Sequence, residues 1–225
     1  KALQTIKSLE TSPEKIWQLV NKKKNQVLPT GYSAAGRVVS LGKGVKGISV
    51  GDRIACSGSE SAFHAEFISV PENLCTKIPD KVPTKIASTV TMGAIAMQGI
   101  RRASPQLGET FVVIGLGLLG QLTTQILKAN GCRVIAIDLE KEKLSIAKDL
   151  GADCVASEKQ EIENYIASLT QGYGADGIII TAASDSDEII SQAFKYSRKK
   201  GRVVIVGDIG LKLNRSDFYE KEIDI

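Results

Sequence analysis

Gly115, Gly117 and Gly120 stand at the spacing G-x-G-x-x-G, with Leu116, Leu118 and Leu119 between them. The chemistry open to such a turn is to hold a diphosphate. The first glycine permits a tight turn, the second leaves room for the pyrophosphate, and the third lets helix and strand pack closely. Main-chain N–H groups at the start of the following helix then face the negative phosphates. The spacing alone is a weak signal. Here it follows the apolar run FVVI and opens a helical pattern near Leu118, the context a dinucleotide fingerprint requires.

Asp138 lies about 20 residues further on, where a carboxylate meets the ribose hydroxyls of a dinucleotide. A 2′-phosphate placed there would be repelled, and Leu139-Glu140-Lys141 contains no arginine to hold one, so NAD is favoured over NADP. Lys143 could flank the adenosine ribose or be a plain surface lysine. A methyltransferase shares the glycine-rich turn and the acidic strand end, and is the competing reading of these residues.

The elements that must position this loop alternate. FVVIG reads as a buried strand, LLGQLTTQILKANG as a helix, RVIAID as a strand and EKEKLSIAKDLG as a helix. CVAS, EIENYIASLTQG, GADGIIITAAS, DEIISQAFKYSRKKG and RVVIVGD continue the alternation. Near-continuous apolar strands between amphipathic helices predict a parallel sheet covered on both faces, a doubly wound α/β domain. Ligands in such sheets sit outside the carboxyl ends of the strands. Thr181 and Ala182 after the fourth strand, and Val206 and Gly207 after the fifth, are therefore expected to line a nicotinamide crevice.

The first half has a different rhythm. AGRVVSLG, DRIAC and FHAEFISVP read as short strands broken by glycine-rich turns, which suits a small barrel. Ser12 and Pro13 look like a helix start. Apolar residues Ile86, Val90, Ala94 and Met97 recur at helical spacing, predicting a helix that joins the halves. The expected division is residues 1–102 for the barrel portion with its linking helix, and 103–225 for the nucleotide-binding domain.

Composition narrows the function classes. The chain has 225 residues, 43% hydrophobic and 24% charged, with net charge +4. It can bury roughly 70–75% of its unfolded surface and needs neither disulfide nor metal to hold together. Basic runs at Lys22–Lys24 and Arg198–Lys200 lack interleaved aromatic residues, so they read as solvated surface and not as a nucleic-acid face. No apolar run reaches the roughly 20 residues that span a bilayer, and the cytoplasm is the expected location. Cys56, Cys75, Cys132 and Cys154 stand far apart with no C-x-x-C pair, so neither a metal cluster nor a redox pair is expected. His64, the single histidine, reads as a structural or edge residue of the FHAEFISVP strand.

Val38-Val39, Gly42, Val45 and Val50-Gly51-Asp52-Arg53-Ile54 resemble the GroES-like domain of the medium-chain dehydrogenase/reductase superfamily. So does Ala65-Glu66-Phe67-Ile68-Ser69-Val70-Pro71 followed by Ile78-Pro79-Asp80. IGLGLLGQ, AIDLEKEKLSIAKDLGAD and KKGRVVIVGDIG resemble the same superfamily's cofactor domain, in the same order. GAIAMQGIRRA and FYEKEIDI are similar to a subset fused to a second oxidoreductase domain of the Gfo/Idh/MocA type. The resemblance implies a GroES-like β-barrel portion followed by a Rossmann domain in a longer chain, because relatives carry more barrel before Gly31 and more sheet after the fifth strand. It implies a small-molecule substrate, polar or sugar-related, and a homodimer built through the FYEKEIDI edge.

The same resemblance addresses metal. The zinc-type enzymes carry Gly-His-Glu where this sequence has Gly31, Tyr32 and Ser33, and a third ligand near Thr91 or Met92. Neither position offers a zinc ligand here, and the four-cysteine structural lobe expected after Arg53 is absent, so no zinc is expected. Tyr32 would then face the vacated position and donate a hydrogen bond to a substrate oxygen, with Ser33 beside it, or it merely fills space. Three functions compete: an NAD(H)-dependent, zinc-independent oxidoreductase, a non-catalytic dinucleotide-binding or assembly module, and a zinc alcohol dehydrogenase.

Overall fold

The structure is a computed structural model and describes residues 30–225. The helix start expected at Ser12 and Pro13 and the Lys22–Lys24 run lie outside the described residues. The chain divides into two compact units, one reaching to Ser88 and the other spanning Thr89–Ile225.

In the first unit β1 (Ser33–Arg37), β2 (Arg53–Ser57) and β3 (Cys75–Lys77) form an antiparallel sheet in the order β1-β2-β3. Gly51 closes the connection into β2 with φ +93°, a conformation that costs glycine little, and its N–H reaches the Val38 carbonyl at 2.8 Å. Arg53 then pins the following loop to β2. Its guanidinium donates to the carbonyls of Val82, Pro79 and Asp80 at 2.9, 3.0 and 3.1 Å. Ala55, Ile78 and Ala87 make a small core, the last on the short helix α1 (Thr84–Ala87).

Two strand expectations change. AGRVVSLG is a strand only as far as Arg37. FHAEFISVP is not a strand: a strand needs a neighbouring ladder, but the amides of His64 and Ala65 bond to the carbonyls of Thr30 and Phe63. His64 is thus an exposed loop residue. The third strand is Cys75–Lys77, which the sequence pattern did not mark.

The second unit opens with α2 (Val90–Ala103), separated from α1 at Ser88 and Thr89. One continuous helix was expected here. Its buried face is also not the expected one: Thr91, Ala96, Gly99, Ile100 and Ala103 turn inward, while Val90 and Met97 are exposed. Small residues lie inward because α2 presses closely on the sheet. A methyl group at Gly99 would come within 2.7 Å of Val206.

The sheet follows as expected. Its strands are β4 (Thr110–Ile114), β5 (Arg133–Ile137), β6 (Cys154–Ala156), β7 (Ala175–Ile180) and β8 (Ser197–Ile205). They are parallel in the order β6-β5-β4-β7-β8. The helices between them are α3 (Leu118–Ala129), α4 (Lys141–Asp149), α5 (Lys159–Thr170) and α6 (Glu188–Tyr196), with a short α7 (Arg215–Phe218) near the end. Successive strand residues point to opposite faces, so one strand feeds two cores. Val112, Ile114, Ile135 and Ile178 pack with Ile162, Ile166 and Phe194 of α5 and α6. Phe111, Val113, Val134 and Ile179 pack with Ile100, Leu127 and Leu144 of α2, α3 and α4. Burial on both faces is why these strands read as continuous apolar runs.

One helix boundary is corrected. The pattern carries α6 through Lys200, but the helix stops at Tyr196 and β8 begins at Ser197, opposite Ala175. Two contacts enforce this. Arg198 Nε donates to the Asp176 carboxylate at 2.6 Å, and the Lys221 ammonium donates to the carbonyls of Phe194, Lys195 and Ser197 at 2.8–2.9 Å. Lys200 turns the chain with φ +56°. The outer edge of β8 is partly occupied by the chain's own last residues, since Asp224 pairs in parallel with Arg202.

Candidate functional site

Strand order reverses at β4: β5 and β6 lie to one side, β7 and β8 to the other. A crevice at the carboxyl ends of such strands is where open α/β sheets bind ligands. The residues singled out in the sequence gather at this end. Gly115–Gly120 follows β4, Asp138 follows β5, Thr181 and Ala182 follow β7, and Val206 and Gly207 follow β8.

The glycine loop is shaped by close approach. Gly115 has φ +92°, and a methyl group on it would lie 2.6 Å from the backbone of Ala182. A methyl group on Gly120 would collide with the Gly115 carbonyl and lie 2.9 Å from Thr181 Oγ1. Gly117 differs: nothing lies within 4 Å of where its methyl would be. It caps the N-terminus of α3, next to exposed Leu118 and half-buried Leu119, and its flank is open. The two outer glycines are packed, and the middle one faces free space.

The loop is held on three sides. Asp138 Oδ2 accepts from the Leu116 N–H at 2.6 Å and Oδ1 from the Glu140 N–H at 2.9 Å. Thr181 Oγ1 donates to the Gly115 carbonyl at 2.6 Å, so Thr181 latches the loop to the end of β7. Gln121, which sequence reasoning passed over, is buried and donates from Nε2 to the carbonyls of Leu116 at 3.1 Å and Lys143 at 2.9 Å. The Leu116 peptide is therefore gripped at both its N–H and its carbonyl.

The end of β5 carries charge. Each Asp138 oxygen keeps lone-pair capacity beyond its one backbone donor, because an ionised carboxylate has about four acceptor positions. The Lys143 ammonium lies 2.7 Å from the Glu140 carboxylate. That hydrogen bond holds the lysine above its usual pKa against desolvation, with the charges of Asp138 and Glu140 adding to the rise. At the end of β8, the N–H groups of Val206 and Gly207 both reach the Ile180 carbonyl at 2.9 Å. A side chain on Gly207 would strike the Ala182 carbonyl, so the ends of β7 and β8 lie close together.

In the first unit, Tyr32 is 44% exposed and its carbonyl accepts from the Gly58 N–H at 3.0 Å. The Ser33 hydroxyl donates to the Ser88 carbonyl at 2.6 Å, which gives it a structural task. The His64 ring covers Gly31, and a methyl group there would collide with it. Zinc takes thiolate, imidazole or carboxylate ligands. Tyr32 and Ser33, and Thr91 and Met92 in the second unit, supply none of these. Among the described residues no group of three His, Cys, Asp or Glu could hold a metal. Among the described residues, these four positions offer a catalytic zinc no ligand.

The four cysteines are all thiols, but they are not all apart. Antiparallel register sets Cys56 directly opposite Cys75, with sulfurs 3.8 Å apart. Far apart in sequence and outside any C-x-x-C spacing, these two cysteines are brought together by strand register.

Residues 8–80 match the alcohol dehydrogenase GroES-like domain, and residues 119–225 match the zinc-binding dehydrogenase domain. Together these two matches make most of the chain similar to zinc-type alcohol dehydrogenases. An alcohol dehydrogenase of Geobacillus stearothermophilus is 28% identical over 214 residues, covering 83% of this chain and 62% of that protein. The (R,R)-butanediol dehydrogenase of Bacillus subtilis is 26% identical, covering 88% of this chain and 65% of its own length. The chain thus spans less than two thirds of the curated relatives it matches. A mycobacterial protein structure complexed with NADPH superposes with a TM-score of 0.76 at 22% identity, covering 95% of this chain and 69% of that one. That likeness shows the two-part fold: a GroES-like portion and a parallel-sheet domain.

Proposed function

We propose that the chain is the dehydrogenase portion of an NAD(H)-dependent, zinc-independent oxidoreductase acting on a small polar carbonyl or alcohol, sugar-related in character. The observation that carries this reading is the contrast within the glycine loop. Gly115 and Gly120 are packed against backbone, and Gly117 opens onto free space beside a helix N-terminus and a carboxylate with spare acceptor capacity. Gly117 leaves the approach for a pyrophosphate, and the first N–H groups of α3 face it. Asp138 accepts the ribose hydroxyls while holding Leu116. Lys143, fixed by Glu140, flanks the same sugar. Thr181, Ala182, Val206 and Gly207 line the nicotinamide side. When bound, the dinucleotide supplies the hydride acceptor or donor, and the protein supplies binding, orientation and exclusion of water.

Tyr32 is the proposed proton donor to the substrate oxygen. Ser33, committed to the Ser88 carbonyl, supports the segment that carries Tyr32. Since Tyr32, Ser33, Thr91 and Met92 offer zinc no ligand, hydrogen bonding replaces metal polarisation in this reading. The mycobacterial protein binds NADPH, so the preference for NAD rests on Asp138, whose charge would oppose a 2′-phosphate.

Separate titrations of NADH and NADPH, followed by nicotinamide fluorescence, test the reading. NADH is expected to bind more tightly. Asp138→Ala is expected to weaken NADH binding by about 1–3 kcal/mol, roughly 5- to 150-fold, the range for losing hydrogen bonds to a charged acceptor. The same change should narrow the gap to NADPH. Tighter NADPH binding by the unaltered chain would overturn the assignment.

A further inference from the structure

We infer that Cys56 and Cys75 form a redox-active dithiol that closes to a cross-strand disulfide in the first unit. The inference comes from strand register. Cys56 on β2 and Cys75 at the start of β3 are direct partners in an antiparallel ladder. Directly opposed antiparallel residues have Cα atoms about 4.5–5.5 Å apart, inside the roughly 4.4–6.8 Å that a disulfide spans. The sulfurs stand 3.8 Å apart, against about 2.05 Å when bonded. Side-chain rotation supplies the difference, so no backbone movement is needed. Nothing comparable joins the other two cysteines: Cys132 precedes β5 with its sulfur against Asn130 and the Gln106 carbonyl, and Cys154 opens β6 opposite Ile135.

The two sulfurs are unequal. Cys56 is 3% exposed, and burial followed by the neighbouring Cys75 sulfur pushes its pKa up to about 12. Cys75 is half-buried, with its thiol directed to the Pro71 carbonyl at 3.4 Å. Both line a cavity of about 510 Å³ with Val38, Phe67 and Val70. The accessible thiol therefore reacts first and the buried one resolves.

With a low-mass disulfide such as oxidised glutathione as oxidant, the Cys75 thiolate attacks one sulfur and displaces a glutathione thiolate. Cys56 then gives its proton to solvent and attacks the Cys75 sulfur, displacing the second thiolate. Two protein thiols are oxidised to one disulfide, and the low-mass disulfide is reduced to two thiols. This chemistry is independent of the cofactor reading and uses none of its residues.

The test is to incubate the native chain with oxidised glutathione, quench with acid, and analyse intact mass and non-reduced peptides. The expected product has lost two hydrogens, carries a peptide linking Cys56 to Cys75, and keeps Cys132 and Cys154 as thiols. Dithiothreitol should restore the starting mass. Cys75→Ser should remain unchanged, and Cys132→Ser/Cys154→Ser should oxidise as the native chain does. A stable glutathione adduct on Cys75, a different cysteine pairing, or no change in mass at oxidant excess would each overturn the inference.

Discussion

Gly117 and Gly120 belong to one loop, yet the structure predicts opposite consequences for the same substitution. Gly120→Ala drives a methyl group into the Gly115 carbonyl and to 2.9 Å from Thr181 Oγ1. The Gly115 carbonyl is backbone, fixed by Thr181 and β4, and cannot move aside cheaply. Overpacking of this kind costs about 1–3 kcal/mol, which lowers the melting midpoint by roughly 2–4 °C per kcal/mol for a chain of this size. Gly117→Ala meets nothing within 4 Å, and φ −65° with ψ −169° is available to alanine. Its folding cost is that of a poorer N-cap, about 1 kcal/mol at most. The added methyl does occupy the space assigned to the diphosphate, and a tenfold loss of affinity corresponds to about 1.4 kcal/mol. Differential scanning fluorimetry and NADH titration on both variants read the two effects apart. Gly117→Ala should melt near the unaltered chain and bind NADH at least about tenfold more weakly. Should Gly117→Ala bind NADH unchanged, the diphosphate does not sit at this loop.

Three further outcomes are expected. Tyr32→Phe should lower kcat for an accepted substrate and leave NADH affinity unchanged, and equal turnover would remove Tyr32 as donor. Arg202→Met should destabilise the second unit by about 1–3 kcal/mol in chemical denaturation, because the half-buried Glu109 carboxylate loses the guanidinium 2.5 Å away and keeps only the Gln106 N–H; an unchanged unfolding midpoint would contradict this. Asp153 is raised by burial, but the Lys128 ammonium at 2.7 Å and the Val134 N–H outweigh that and hold its pKa below the usual range. A depressed carboxylate stabilises the fold above its unfolded pKa, about 4, and the contribution is lost as pH falls through the lower folded value. Asp153→Asn should therefore reduce the loss of stability on acidification below pH about 4, measured by urea unfolding at several pH values.

The parallel sheet was legible because each of its strands is buried on both faces and each helix shows one apolar side. Those two periods differ enough to be told apart without coordinates. Asp138 and the glycines were legible for a related reason: close backbone approach and strand ends leave fixed residue types at fixed intervals. What escaped was set by contacts between distant segments. The residues Ser197–Lys200 carry helix formers, but Asp176 and Lys221 hold them as a strand start. In FHAEFISVP the composition suits a strand, and no neighbouring ladder exists among the described residues. The inward face of α2 is made of small residues, because the helix lies too close to β8 for larger ones, and an apolar pattern points to the wrong side. Gln121 and the Cys56–Cys75 pair depend on register, which no local spacing reveals.

β4 is wholly buried and bonded along both edges, to β5 and β7. Its amides should be among the last in the chain to exchange with solvent, since reaching them requires the whole sheet to open. The turn that follows inherits that rigidity through Ile114. The binding end of this domain is thus suspended from its slowest-opening strand, and its geometry should persist through local fraying at the rim strands β6 and β8.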